Sequence, residues 1–238
     1  MISDAERDVR AIAALDDDLR RRMYLFVRGA GKPVSRDEVA QAVGVSRKLA
    51  AFHLDKLVER DLLVPSYARP AGRSGRGAGR SAKYYEPSDH EFDVSIPERR
   101  YDVMGSILLG AIEQQEPGEP TREAARRVAR ETGDELARPV RVRERLSRPG
   151  PERTMHAASE VLAACGYEPY AADGAVRLRS CPFHDHAERN RDIVCSLNRD
   201  LVEGVVRGLG NETVDVVLAP APAECCVELR PPRRTKRR

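Results

Sequence analysis

Apolar positions recur at helical spacing through most of this chain, interrupted by short alternating runs. Asp4–Ala14 and Asp17–Arg28 read as two helices, the second with Leu19, Met23, Phe26 and Val27 on one face and Gly29–Gly31 as its stop. Ser35 followed by Glu38 is a capping box, in which hydroxyl and carboxylate each satisfy an orphan amide at a helix start. Val39, Ala40 and Val43 continue that helix, and Gly44 breaks it where a turn needs a positive φ. Ser46 caps the next helix, whose stripe is Ala50, Leu54, Leu57 and Val58; its other face carries Arg47, Lys48, Ala51, Phe52 and Lys56. Leu62–Val64 opens a strand, and Lys83–Tyr85 resumes an extended run that ends at Pro87.

Further on, Tyr101, Met104, Ile107, Leu108, Ala111 and Ile112 mark an amphipathic helix over 100–115, which the Pro/Gly segment 116–120 ends. An Ala- and Arg-rich helix with a thinner apolar face follows at 121–137. The polar, Pro-containing stretch Pro139–Arg153 reads as a linker. Met155, Ala158, Val161, Leu162 and Cys165 form one helical face. Tyr167–Ala171 and Ala175–Arg179 flank Asp173-Gly174, a hairpin with a type I′ turn. A helix over 192–209, a strand over 213–218 and a last strand over 223–229 complete the pattern.

These elements predict an α+β chain. Residues 1–98 form a winged helix-turn-helix DNA-binding domain, 99–138 linking or dimerisation helices, 139–230 a small cysteine-containing α+β sensor domain, and 231–238 a basic tail. The bland alternatives are an αα-corner for the helix pair and ordinary intradomain helices for 99–138.

Charge sharpens the first of these readings. The 238 residues carry a net charge of only +3, so affinity for DNA has to come from clustering. Arg69, Arg73, Arg76, Arg80 and Lys83 fall between Pro65 and Lys83 with no acid among them, in a Gly-rich segment that cannot pack. As a wing, that loop would lie along or inside the minor groove. Arg47, Lys48, Phe52 and Lys56, with Ser46 and Ala51 beside them, would approach bases and phosphates. No stretch reaches the apolar length of a membrane span, and MISDAERDVR lacks an apolar signal core, so a cytoplasmic protein without membrane contact is expected.

The five cysteines are then more suited to metal or redox chemistry than to a disulfide framework. Cys165 lies on an apolar helix face as a small hydrophobe. Cys181, within the polar turn CPFHDH between strand and helix, Cys195 at the start of the next helix, and the Cys225-Cys226 pair on the last strand could converge. On a pleated strand adjacent residues point to opposite faces, so pattern does not decide between Cys225 and Cys226. An iron–sulfur cluster, structural zinc held with His184 or His186, and a metal-free thiol switch all remain open. A thiol enzyme would need a nucleophile beside a base, and Cys181 with His184 is the single pairing on offer. No phosphate loop or Ser-His-Asp set supports another activity, so a non-enzyme is expected.

GVSRKLAAFHLDKLVERDLL, GRSAKYYEP and CPFHDHAERNRDIVCSLNRDLVEGVVRGLG followed by CCVEL resemble, respectively, the recognition segment, wing return and sensor domain of ArsR-type winged-helix regulators, in particular the SufR-like iron–sulfur group. The resemblance covers about residues 10–230. It implies a homodimeric transcriptional regulator on a palindromic double-stranded DNA operator. It also implies an iron–sulfur cofactor, 4Fe-4S foremost and zinc as the alternative, with Cys181, Cys195 and Cys225 or Cys226 as ligands and His184 or Asp185 as a possible further one. Asp61 stands where such proteins have Gly at the end of the recognition helix, and Asn190 where many have His.

Overall fold

A computed structural model describes residues 4–68 and 82–232. The chain divides into two compact units, Met1–Val94 and Ser95–Arg238, each with its own apolar core. Among the described residues the fold is mixed α+β, with nine helices and two small sheets.

The first unit contains α1 (Asp4–Ala14), α2 (Asp18–Gly29), β1 (Val34–Ser35), α3 (Arg36–Val43), α4 (Arg47–Val58), β2 (Leu63–Ala68) and β3 (Ala82–Pro87). Asp17 caps α2 by accepting from the Arg20 amide at 2.9 Å. The Ser35/Glu38 capping box forms in full, and Gly44 takes the left-handed conformation at φ 76° that lets the chain turn into α4. Asp61 performs the same service after α4 at φ 58°, the conformation expected of a residue in a position that favours Gly. β2 and β3 pair antiparallel from Leu63↔Pro87 to Ala68↔Ala82. The two-residue β1 adds to the other edge of β3 through Val34↔Tyr85, a strand too short to show any periodicity. Met23, Val27, Val39, Leu54, Leu57, Leu62 and Leu63 make the core; each Leu so buried contributes about 1.5–3 kcal/mol.

The second unit runs α5 (Tyr101–Glu113), α6 (Thr121–Arg143), α7 (Pro151–Ala163), β4 (Pro169–Ala172), β5 (Ala175–Leu178), α8 (His184–Arg189), α9 (Arg191–Gly208), β6 (Asp215–Leu218) and β7 (Val227–Arg230). Its sheet has the order β4-β5-β7-β6, antiparallel throughout. Asp173 and Gly174, at φ 51° and 77°, form the turn of the β4–β5 hairpin as its sequence requires.

Two expectations are corrected here. Pro139 does not open a linker: α6 continues through it to Arg143, because Ala137 and Val140 on either side are buried in the core and outweigh the lost backbone bond. The segment from Cys181 to His186 is likewise not all turn, since α8 begins at His184.

α6 and α9 cross at very short range. A Cβ added at Gly133 would lie 2.0 Å from the Leu201 carbonyl, and one at Gly204 would lie 2.1 Å from the Arg130 carbonyl. Beside this crossing the fully buried Asp200 accepts from Arg126 Nε at 2.6 Å and pairs with Arg130 and Arg199. A buried carboxylate needs such partners, and three cations surround this one. α9 is thereby fixed in place, and with it Cys195.

Candidate thiol centre and nucleic-acid interface

Four cysteines meet in the second unit. Cys181 follows β5, Cys195 sits near the start of α9, and Cys225 and Cys226 precede β7. The anticipated strand over 223–229 starts only at Val227, because Pro220 and Pro222 offer no amide for pairing and Ala223 turns at φ 58°. Cys225 and Cys226 therefore escape the pleat that would have sent their side chains to opposite faces. Both sulfurs reach the same place.

The segment carrying them is pinned. The Cys225 amide donates to the Leu178 carbonyl at 2.9 Å, and the Ala219 amide to the Cys226 carbonyl at 2.7 Å. Glu224 accepts from Tyr170 Oη at 2.6 Å and from Arg177 Nε at 2.9 Å, tying it to the hairpin. The Cys181 carbonyl accepts from Arg99 Nη1 at 3.3 Å and from the His184 amide at 3.1 Å.

The four thiols perturb one another's ionisation in the order Cys181–Cys225–Cys226–Cys195. The Cys225 thiol donating to Cys181 holds the latter below its ordinary range, despite burial. The neighbouring Cys195 and Cys225 thiols push Cys226 down to about 4. These two move the other way: Cys195 is raised by its bond to Cys226, and Cys225 by its bonds to Cys181 and Cys226. Within the quartet, Cys181 and Cys226 are thus the acidified members, and Cys195 and Cys225 are held above their ordinary range. Arg191 favours the charge on Cys226, and Arg99 together with the Phe183 amide favours it on Cys181.

All four sulfurs are free, and Cys195, Cys225 and Cys226 are buried while Cys181 is partly exposed. They line a pocket of about 280 Å³ together with His184 and Arg191. Among the described residues no three His, Cys, Asp or Glu side chains are gathered closely enough to hold an ion as they stand. The donor set nevertheless suits one: four thiols, two of them acidified, from separate segments lining one pocket, the set used by both tetrahedral zinc and iron–sulfur centres. His184 is exposed, lines the pocket and pairs with Glu188 Oε1 at 3.3 Å. Cys165 is buried after α7, its thiol raised by burial, and does not line the pocket. Asn190 is exposed between α8 and α9, away from the sulfurs' pocket.

A buried Asn198, which periodicity alone treats as one more position in the α9 stripe, completes the site. Its Nδ2 donates to Cys225 Sγ at 3.2 Å and lies 4.0 Å from Cys181 Sγ. The clue in the sequence is a polar residue three positions after Cys195, set among Val194, Leu197, Leu201 and Val205.

In the first unit, Ser46 caps α4 through the Leu49 amide, and Arg47, Lys48 and Phe52 are exposed while Ala51 and Lys56 are half-buried. Phe52 is 56% exposed, large for an aromatic, and sits edge-on to the buried His53. Several of the cations already have acidic partners: Arg47 with Asp37 at 2.7 Å, Lys56 with Glu59 at 2.7 Å, and Lys83 with Asp55 at 2.5 Å. Lys83 and the Tyr85 hydroxyl both donate to Asp55, so Lys83 ties β3 to α4. Arg69, Arg73, Arg76 and Arg80 lie outside the described residues. Among the described residues no helix is long and apolar enough to cross a membrane. No protein-family model matches the chain, and no curated protein matches it.

Proposed function

We propose that this chain is a DNA-binding transcriptional regulator whose second unit holds a thiolate-ligated metal centre, an iron–sulfur cluster in the leading form. The observation that carries the reading is the convergence of Cys181, Cys195, Cys225 and Cys226 on one pocket from three segments of the chain. Four free cysteines on one pocket make a complete donor set for a thiophilic metal. When bound, a cluster supplies reversible electron transfer and sensitivity to oxidants. The chain's own contribution is to present four sulfurs, release their remaining protons on binding, and shield three of them from solvent. Cys181, the most exposed, faces the pocket.

The first unit supports the DNA half of the reading through sequence and geometry together. A capped helix, a left-handed Gly turn and a second capped helix precede the antiparallel strands β2 and β3, between which the Arg-rich segment falls in sequence, the order of a winged helix-turn-helix. Because Arg47, Lys56 and Lys83 are partly neutralised by acids, the Arg-rich segment is the main source of phosphate attraction in this reading. A homodimer on a palindromic operator, with half-sites spaced by roughly 34–36 Å, follows from the same class of fold.

Anaerobic purification with iron, sulfide, zinc and absorbance measured on one sample tests the centre. About four iron and four sulfide per chain, with brown colour, is the expected result. Colourless protein with stoichiometric zinc would replace the cluster by a structural metal, which the same four thiols also fit. DNA binding is tested by salt-dependent titration of the full chain against its own upstream sequence and an unrelated duplex.

A further inference from the structure

We infer that Asn198, oriented by Tyr167, is a positioning residue that sets the donor strength of the Cys225 sulfur in the centre; this rests on the four-thiol reading above. Asn198 is 1% exposed and Tyr167 3% exposed, so neither exchanges its partner for water. The Tyr167 hydroxyl donates to Asn198 Oδ1, which fixes the amide plane. The opposite edge of that plane is then committed: Nδ2 points at Cys225 Sγ, 3.2 Å away, and lies at the outer limit of contact with Cys181 Sγ, 4.0 Å away. The Val227 amide also donates to Cys225, so this sulfur receives two N–H donors from inside the protein.

An N–H directed at a ligating sulfur withdraws electron density from it. The metal it binds then sees a weaker donor, and the thiolate itself is easier to form. Asn suits the position because its amide can accept from a hydroxyl on one side and donate to sulfur on the other. The Tyr167 ring also packs edge-to-face on Phe183, two residues after Cys181, so the orienting hydroxyl belongs to the wall of the same site.

The test uses the full-length chain, reduced and metal-free under anaerobic conditions, titrated with cobalt(II) as the probe. Wild type is expected to show thiolate-to-cobalt charge-transfer bands. The combined Asn198→Leu/Tyr167→Phe variant removes both members of the internal hydrogen bond and strands neither. It is expected to keep the bands' intensity and move them to lower energy, because the sulfur becomes the stronger donor, while apparent cobalt affinity falls about ten- to a hundredfold because the contact that orients the ligand is gone. Tyr167→Phe alone releases the amide without deleting it, and a smaller shift in the same direction is expected. Val202→Ala, a fully buried packing change on the same helix, is the control: it lowers the melting temperature and leaves the band position alone. Bands unmoved in both Asn198 and Tyr167 variants, with affinity within about twofold of wild type, would overturn the role of Asn198 and leave the four-thiol centre standing. A wild-type chain without thiolate-to-cobalt bands would overturn both.

Discussion

The crossing of α6 and α9 makes Gly204→Ala the most direct stability test of this architecture. The added Cβ would lie 2.1 Å from the Arg130 carbonyl oxygen and 2.8 Å from the Arg130 Cα. A carbon and a carbonyl oxygen need roughly 3.3 Å, so the helices must part by about 1 Å. Two opposing effects set the sign. Alanine is the better helix former by about 1 kcal/mol. Against that, overpacking a tight core costs about 1–3 kcal/mol, and here the obstacle is backbone, which cannot rotate away as a side chain can. The upper end of that range applies, for a net loss of about 2 kcal/mol, or roughly 4–8 °C in melting temperature for a unit of this size. Parting the helices also disturbs Arg126 and Arg130 around the buried Asp200, which adds to the loss. The internal control is Gly105→Ala in α5, where an added Cβ meets nothing within 4 Å; there only the propensity gain remains, and stability should rise by about 0.5–1 kcal/mol. Urea and thermal unfolding followed by circular dichroism read both. Equal or increased stability for Gly204→Ala would refute the close crossing and the argument that it fixes α9.

The remaining predictions concern the centre and the first unit. Cys181→Ser or Cys195→Ser should abolish the metal while the circular dichroism spectrum is retained, whereas Cys165→Ser should keep the metal and cost mainly packing; metal analysis after anaerobic purification decides. Arg73→Ala with Arg76→Ala should weaken binding to all duplexes alike and lower the slope of log affinity against log salt by about 1.8, the contribution of two phosphate contacts; a loss confined to one duplex would contradict a backbone role. The Glu38 carboxyl is held below its usual range by the Ser35 amide and hydroxyl, so the capping box contributes stability above the unfolded carboxylate range and loses it as pH falls through the folded value. Ser35→Ala should cost about 1 kcal/mol at neutral pH, with the gap to wild type narrowing in acid; a gap that stays constant down to full carboxylate protonation argues against the box.

Long amphipathic elements were legible because burial and periodicity agree in them. α9 follows its apolar stripe, whereas α5 buries Met104, Ile107 and Ala111 but leaves Leu108 and Ile112 of its expected face exposed; Asp173-Gly174 turned the chain where the dipeptide demanded positive φ. The failures arise where tertiary packing overrides a local rule. Pro139 reads as a helix end, yet Ala137 and Val140 are buried across it, and the helix persists. Cys225 and Cys226 read as strand because apolar residues follow them, whereas Pro220, Pro222 and the turn at Ala223 delay pairing until Val227. β1 and α8 are too short for any periodic signal. Three of the four sulfurs could be placed near one another from the order of elements alone; the fourth needed the strand to begin late, and Asn198 needed a partner, Tyr167, from a distant segment.

In the proposed centre the four sulfurs do not ionise alike: Arg99 favours charge on Cys181 and Arg191 favours it on Cys226, while Cys195 and Cys225 are held above their ordinary range. A cation of two or more charges would replace the remaining protons, so metal binding should release protons, which a pH-stat titration reads. The segments that would have to adjust are the short ones, 181–184 and 220–226, because α9 is locked by its crossing with α6 and by Asp200. Cys195 and Asn198 on α9 are accordingly the fixed side of the centre. In the proposed centre Cys181, Cys225 and Cys226 would be the side that adjusts to a bound metal.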